Sequence, residues 1–410
     1  MAFPRKNANP EIFVPFRHCQ TGKRDYLKFR KNSTGPRPGT YLKGNEMVPE
    51  KDFSDLDANY KPQCVNGRDM IFHDGFAAPF VLEGVPFVDA EGRHRRLPQE
   101  AAEKCLRPPV IPMSLQGAGE VLRFVTDSTA IALDVTFDEL FARPQRRAST
   151  GFDLYIGSGT EKRFCGNQFP ATQDPHAELL FSALPLPRTR EFREYTLYFP
   201  LHSAVRSIRI GVDPGCRIEP PAPHRVKKPL LFYGSSLTNC GAVRRPGMNY
   251  PAIITRLLDL PMVNMGFSGA CLGELHIADE IAGVDPVAMV LEYDHNAPDP
   301  EFLARTHEPF FRHLRALCPT LPVLLTSRCD FMNTPDGKRR REIVMRTFLH
   351  ALDEGDRFVD FLDGETLFSG PFRYDCTIDN CHPNDLGATL MAERIADRIK
   401  RMLAPLDDTK

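Results

Sequence analysis

Leu230-Leu231-Phe232-Tyr233-Gly234-Ser235-Ser236-Leu237-Thr238 is the stretch on which the reading of the fold turns. A short apolar run with no polar interruption fits a strand covered on both faces, as in a parallel sheet flanked by helices. The glycine that follows permits a sharp turn out of the strand. A serine on that turn can present its hydroxyl above the sheet, beside free backbone N–H groups.

Reading outward toward the C-terminus, similar runs recur at Met262–Met265, Val287–Leu291, Val323–Leu325 and Phe358–Phe361. Between them, Leu303, His307, Phe310, Leu314 and Leu317 keep helical spacing, and so do Ala388, Met391, Ile395, Ile399 and Met402. Strands alternating with helices predict a doubly wound parallel-sheet α/β domain over about 226–405. In such sheets sites form beyond the C-terminal strand ends. The segments there are Asn264-Met265-Gly266-Phe267-Ser268-Gly269, Glu292-Tyr293-Asp294-His295-Asn296-Ala297 and Asp379-Asn380-Cys381-His382-Pro383-Asn384-Asp385.

Upstream the texture changes. Ile131, Leu133, Val135 and Phe137 alternate with Ala132, Asp134, Thr136 and Asp138; Tyr195, Leu197 and Phe199, and Ile208, Ile210 and Val212, also alternate with other residues. Period-two runs separated by turn residues predict strands with one face in water, and several of them a β-sandwich over about 65–215. Between the two regions, Pro220 to Pro229 holds four prolines in ten residues and reads as a stiff linker. Residues 1 to about 60 carry no sustained period and read as an irregular arm.

The 410 residues suffice for two cores, with 42% apolar and 26% charged residues. A net charge of −1 favours neither nucleic acid nor an anionic membrane as partner. The run Lys338-Arg339-Arg340-Arg341 lies between Asp336 and Glu342 and reads as a solvated helix start. Eleven cysteines without a Cys-x-x-Cys pair suggest free thiols in a reducing compartment. The N-terminus lacks the apolar segment of a secretory signal, so the expected location is the cytoplasm, although a chain trimmed of its signal would begin the same way. With no His-Glu-x-x-His, no zinc-type Cys/His spacing and no Gly-x-x-x-x-Gly-Lys, neither metal nor cofactor is expected.

The four segments after the strands resemble, in order and placement, the blocks of the SGNH hydrolases, also called the GDSL family. The resemblance spans about 226–403. Ser235 stands where that family usually has aspartate, and Ser236 matches its nucleophile. Gly269 matches the oxyanion glycine. The third block keeps Asn296 but not its usual neighbours, and Asp379 and His382 match Asp-x-x-His. Gly151-Phe152-Asp153-Leu154-Tyr155 is similar to the Gly-x-Asp-Leu-Tyr signature of a domain preceding some SGNH esterase domains. The resemblance implies a flavodoxin-like catalytic domain, a serine esterase activity and, as the substrates, O-acetyl groups on sugars or similar small molecules.

The chemistry agrees with those residue types. A serine hydroxyl needs a base within hydrogen-bond reach, which His382 can supply. Asp379, three residues earlier, can hold the other ring nitrogen and stabilise the imidazolium. Pro383 suits the first position of a following helix. The tetrahedral intermediate needs donors, for which the N–H groups of Ser236 and Gly269 and the amide of Asn296 are candidates. Asp294, His295 and Arg328 are candidate substrate contacts. Asp153 and Tyr155 read as residues holding the β-domain together. The β-domain itself is expected to pack on the catalytic domain and lend a wall to the pocket. Two other readings stay open: acyl transfer to an alcohol through the same acyl-serine, and a carbohydrate-binding protein without activity. The oligomeric state is not legible.

Overall fold

The computed structural model describes residues 62–407, apart from 142, 144, 183–187 and 330–333. The arm read over residues 1–60 lies outside them. Among the described residues, two antiparallel sheets form the N-terminal region. The first runs in the order β1 (Gln63–Val65), β2 (Arg68–Asp74), β12 (Ala204–Val212), β7 (Ile131–Glu139), β10 (His176–Phe181). The second runs β13 (Ile218–Glu219), β6 (Val121–Thr126), β11 (Arg193–Tyr198), β8 (Phe152–Ile156), β9 (Arg163–Gln168), with β3 (Val81–Glu83) also paired to β6. A two-stranded ribbon, β4 (Phe87–Val88) and β5 (His94–Arg95), stands apart.

The alternating apolar residues meet between these sheets. Leu133 lies opposite Ile210 and Val135 opposite Ile208, while Leu197 is flanked by Leu122 and Leu154. All belong to one buried core with Phe124 and Phe152. The expectation that the other strand face lies in water holds only in part. Ala132 is fully buried with Val65, Met70 and Phe72 in a small second cluster. Asp134, on that same face, is buried because Arg209 and His176 pair with its carboxylate.

The C-terminal region is a five-stranded parallel sheet among the described residues. Its strands are β14 (Leu230–Gly234), β15 (Met262–Gly266), β16 (Ala288–Glu292), β17 (Val323–Thr326) and β18 (Val359–Leu362), in the order β15-β14-β16-β17-β18. This is the flavodoxin-like order, whose switch point falls beside the first strand. The helices are α4 (Ser236–Asn239), α5 (Tyr250–Leu258), α6 (Leu275–Val284), α7 (Pro300–Leu317), α8 (Pro335–Asp353) and α9 (Asp385–Asp407), after α1 (Gln99–Lys104), α2 (Val110–Met113) and α3 (Arg146–Ser149) upstream. Alternate residues of β14 serve opposite layers. Leu230 and Phe232 pack with Ile254 of α5 and Met391 and Ile395 of α9. Leu231 and Tyr233 pack with Ile277 of α6, Phe310 of α7 and Val344 of α8. The helices start where the local chemistry allows: Asn249, Asp299 and Thr334 each accept an N–H three residues on, and a proline follows in the first turn.

The two regions are one packed body. Leu97, Ala101, Ala102 and Val110 of the α1–α2 segment are buried in the same core as Tyr233 and Val263. The proline-rich stretch is docked rather than a spacer. His224 within it is buried, with Nδ1 2.8 Å from Asp259 and Nε2 3.2 Å from Glu83, one carboxylate from each region. Asp153 and Tyr155 bridge the regions as well, instead of serving the β-domain alone. Arg245 Nη1 donates at 2.7 Å to both the Asp153 carboxylate and the Tyr155 hydroxyl, and the Gly247 N–H donates to Asp153 at 2.9 Å. Burial pushes the Asp153 carboxyl up in pKa, against Arg245, Asn167 and the Gly247 N–H, which pull it down.

Candidate active site

β14 ends at Gly234, where a Cβ would lie 2.1 Å from the Glu292 carbonyl oxygen and 2.2 Å from Thr238 Oγ1, so no larger residue fits. Ser235 is extended, and its Oγ accepts the Leu237 N–H at 3.1 Å, capping α4. Ser236 is therefore the first residue of that helix, at the C-terminal edge of the sheet. Its Oγ is 2.8 Å from His382 Nε2.

His382 sits on a turn closed by a bridge between Thr377 and Pro383 and by the Ile378 N–H to the His382 carbonyl, 3.0 Å. Asn380 takes φ +64° to make the turn. Asp379 Oδ2 lies 2.7 Å from His382 Nδ1, and its Oδ1 accepts the backbone N–H groups of His382 (2.7 Å) and Cys381 (3.1 Å). Burial raises the Asp379 pKa, but these N–H groups and the imidazole outweigh it and hold the carboxyl below its ordinary range. Pro383 is not the first helical residue. Asn384 takes the capping position, accepting from the Leu386 and Gly387 N–H groups at 3.0 and 3.1 Å, so α9 starts at Asp385.

The loop after β15 is tied to the serine turn. Phe267 N–H donates to the Gly234 carbonyl at 3.0 Å, and the Phe267 carbonyl accepts the Asn296 side-chain amide at 3.2 Å. Gly269, two residues on, has φ +72°, a region that glycine enters freely. Ser236, Gly269 and Asn296 thus stand on adjoining loops at the ends of β14, β15 and β16. Two arginines from upstream support the middle loop. Arg107 Nη1 donates to the Gly269 carbonyl at 2.8 Å. The fully buried Arg96 donates to the carbonyls of Asn264 and Gly266 at 2.9 Å each and of Met113 at 2.6 Å, with its guanidinium 4.9 Å from the Phe267 ring centre.

Residues 227–403 match the GDSL-like lipase/acylhydrolase family, and residues 70–218 match the N-terminal domain of SGNH-hydrolase-type esterases that carries the Gly-x-Asp-Leu-Tyr motif. The chain belongs to this family of GDSL-like, SGNH-type hydrolases. It is a carboxylic ester hydrolase by that membership. Solved structures with the same fold include a protein described as a GDSL-like lipase from Bacteroides ovatus ATCC 8483 (24% identity, TM-score 0.72). Others are the salicylyl-acyltransferase SsfX3 from a tetracycline biosynthetic pathway (18%, 0.66) and an acetyl xylan esterase from the rumen bacterium Butyrivibrio proteoclasticus (11%, 0.54). Each covers 82% of this chain and 98% of its own. No curated protein matches the chain by sequence.

The three candidate substrate contacts of this SGNH hydrolase divide. Asp294 is buried; its carboxylate accepts the Arg328 N–H at 2.9 Å and its carbonyl accepts Arg340 Nη1 at 2.6 Å, so it fixes the loops after β16 and β17 to each other. His295 Nδ1 lies 3.6 Å from Cys381 Sγ, joining the Asn296 loop to the turn of His382. Burial first, then the charges of Arg328, His382 and Arg340, push the His295 pKa well below its ordinary value, so its imidazole is neutral. Arg328 is half-buried and brings a positive charge into this neighbourhood, opposite in sign to the Asp294 carboxylate.

Sequence reasoning passed over two features. Glu292 ends β16 fully buried, and its carboxylate accepts Ser235 Oγ (2.9 and 3.0 Å), the Ser235 N–H (3.2 Å) and Thr238 Oγ1 (3.0 Å). A glutamate closing an apolar strand was the available signal. The second is a cleft of about 900 Å³ between the regions, with Arg146, Arg147 and Phe169 on one wall and Arg244, Ile378 and Asp385 on the other. Two arginine pairs, Arg146-Arg147 and Arg244-Arg245, were its only trace in the sequence. Among the described residues no group of three or more His, Cys, Asp or Glu could hold a metal ion, and no helix is long and apolar enough to cross a membrane.

Proposed function

We propose that this hydrolase removes a short acyl group, an O-acetyl ester on a carbohydrate, through an acyl-Ser236 intermediate. The observation that carries the reading is the hydrogen-bonded chain from Ser236 through His382 to Asp379. Ser236 Oγ attacks the ester carbonyl while His382 Nε2 takes its proton, and Asp379 stabilises the imidazolium. The oxyanion faces the N–H groups of Ser236 and Gly269 and the Asn296 amide, one of whose two protons is spent on Phe267. As the intermediate collapses, the bond between the acyl carbon and the sugar oxygen breaks, and His382 gives its proton to that oxygen, releasing the sugar as its free hydroxyl. Water then enters by the reverse route and frees Ser236.

The acetyl xylan esterase that shares the fold supports the choice of acyl group and sugar. The fold shared with a salicylyl-acyltransferase supports a second reading, in which an alcohol replaces water in the last step. A screen of p-nitrophenyl esters of rising acyl length and of acetylated sugars, with the parent protein and Ser236→Ala, tests the first reading. Activity surviving in Ser236→Ala would end it. Product analysis with competing alcohols separates hydrolysis from transfer.

A further inference from the structure

The interdomain cleft adjoins the turn that carries Asp379 and His382. Ile378, on its wall, donates its N–H to the His382 carbonyl, and Asp385 follows His382 by three residues. Arg244 lies just beyond α4, which begins at Ser236. The opposite wall belongs to the β-domain: Arg146 and Arg147 with Phe169, whose ring centre is 5.7 and 4.6 Å from the two guanidinium carbons.

The charge of the cleft is lopsided. Three guanidiniums face one carboxylate, and that carboxylate already accepts the Arg244 backbone N–H at 2.8 Å. Arg146 spends Nη2 on the carbonyls of Pro170 and Ala171, at 3.0 and 3.3 Å. Arg147 makes a long 3.3 Å bond to Asn167. A guanidinium has five N–H donors, so these bonds leave much of the donor capacity of the two arginines unused. Arginine forks suit carboxylate, sulfate and phosphate oxygens, and the apolar surfaces of Phe169, Ile378 and Leu386 suit the C–H face of a sugar ring. A second cavity, of about 370 Å³, is lined by Pro229, Pro261 and Met262 at the strand starts, the end of the sheet away from Ser236.

We propose that this cleft binds an anionic group on the alcohol part of the substrate, so that the preferred esters are acylated acidic sugars. The inference rests on the esterase reading for what happens at Ser236, but the binding it claims can be measured without turnover. Ser236→Ala protein, titrated calorimetrically at low salt with the O-acetylated methyl glycosides of glucose, glucuronic acid and glucose 6-phosphate, separates the anion from the sugar. At least one of the two anionic glycosides should bind on the order of 10-fold tighter than the neutral one, the worth of one charge-assisted hydrogen bond. Which of the two binds tighter identifies the anion. The advantage should disappear in Arg147→Gln/Arg244→Gln, with unfolding followed to check that the fold is kept, and shrink at 0.5 M salt. Equal affinity for all three glycosides, or a preference that survives the double substitution, overturns the proposal. Failure of the parent protein to hydrolyse any ester would remove the esterase reading and leave this comparison standing.

Discussion

The hydroxyl of Ser235 lies 2.9 and 3.0 Å from the two carboxylate oxygens of Glu292, in a site closed to solvent. Family members usually carry aspartate where Ser235 stands. A second carboxylate against Glu292 would repel it, whereas a hydroxyl can donate to Glu292 and still accept the Leu237 N–H. The departure from the family pattern is thus matched by a partner on the neighbouring strand.

Burial, with Asp294 nearby, pushes the Glu292 pKa up to about 8, although the Ser235 and Thr238 bonds pull it down. A carboxyl whose folded pKa exceeds its unfolded value of 4.5 adds stability that is complete below the unfolded value and fades as pH climbs through the folded one. The melting temperature should therefore decline between pH 5 and pH 8.5. Glu292→Gln, which mimics the protonated form, should flatten part of that decline. Glu120, also buried and raised to about 8, keeps the remainder. Identical slopes for parent and variant would show that Glu292 does not titrate in this window.

Asp379 bonds both the ring and the backbone of His382, so it sets the tautomer as well as the turn. Asp379→Asn should lower kcat on p-nitrophenyl acetate by on the order of 10²–10⁴-fold while circular dichroism stays unchanged, because the wrong tautomer blocks proton transfer from Ser236. A kcat within a factor of two of the parent would mean that His382 is oriented without Asp379.

How much of this was open to sequence reading depends on the range of the interaction. The strand at Leu230–Gly234 and the turn at Asp379–His382 are local patterns, so period and spacing place them. Ala132 and Asp134 were read as solvent-facing because alternation reports polarity, not what covers a face. The roles of Arg96, Arg107 and Glu292 depend on contacts across distant segments: Arg96 meets Asn264, 168 residues away, and Arg107 meets Gly269, 162 away. No local pattern carries such pairings.

Asn296 links its loop to Phe267 through one amide proton, and the proposed mechanism gives the other to the oxyanion. Asn296→Ala should lower the rate by ~10²-fold or more, chiefly in kcat, because that bond matters once charge develops on the carbonyl oxygen. A rise in KM at unchanged kcat would assign Asn296 to substrate binding instead.

Arg245 is held by Asp153 and Tyr155, and its guanidinium carbon is 3.8 Å from the Phe164 ring centre. Asp153→Ala leaves a largely buried guanidinium without its counter-charge and the Gly247 N–H without its acceptor, a loss of roughly 3 kcal/mol or more in unfolding free energy. Replacing both partners, as Asp153→Ala/Arg245→Met, should recover part of it, because no unpaired charge remains. A double variant as unstable as the single one would show that the latch acts through shape, not charge. Denaturant unfolding at constant m-value provides the comparison.

The last prediction concerns what remains when the β-domain is removed. A chain cut at the proline-rich stretch would begin near residue 226 and keep every strand and helix of the parallel sheet. It would lose Leu97, Ala101, Ala102 and Val110, which bury Tyr233 and Val263 on one sheet face. At roughly 25 cal/mol per Å² of apolar surface, exposing a patch of that composition removes several kcal/mol, a large part of a typical domain's stability. It would also lose Arg96, and with it three guanidinium–carbonyl bonds, two of them at the end of β15 just before the Gly269 loop. Residues 226–410 expressed alone should therefore be poorly soluble or molten. A cut placed just before Leu97 would keep Arg96's neighbours but not Arg96, so a start at or before Arg96 is needed to retain it. Residues 93–118 supplied in trans as a peptide should raise the melting temperature of the 226–410 fragment. A fragment that melts cooperatively within a few degrees of the full chain, with the peptide making no difference, would show that the parallel-sheet domain is self-sufficient.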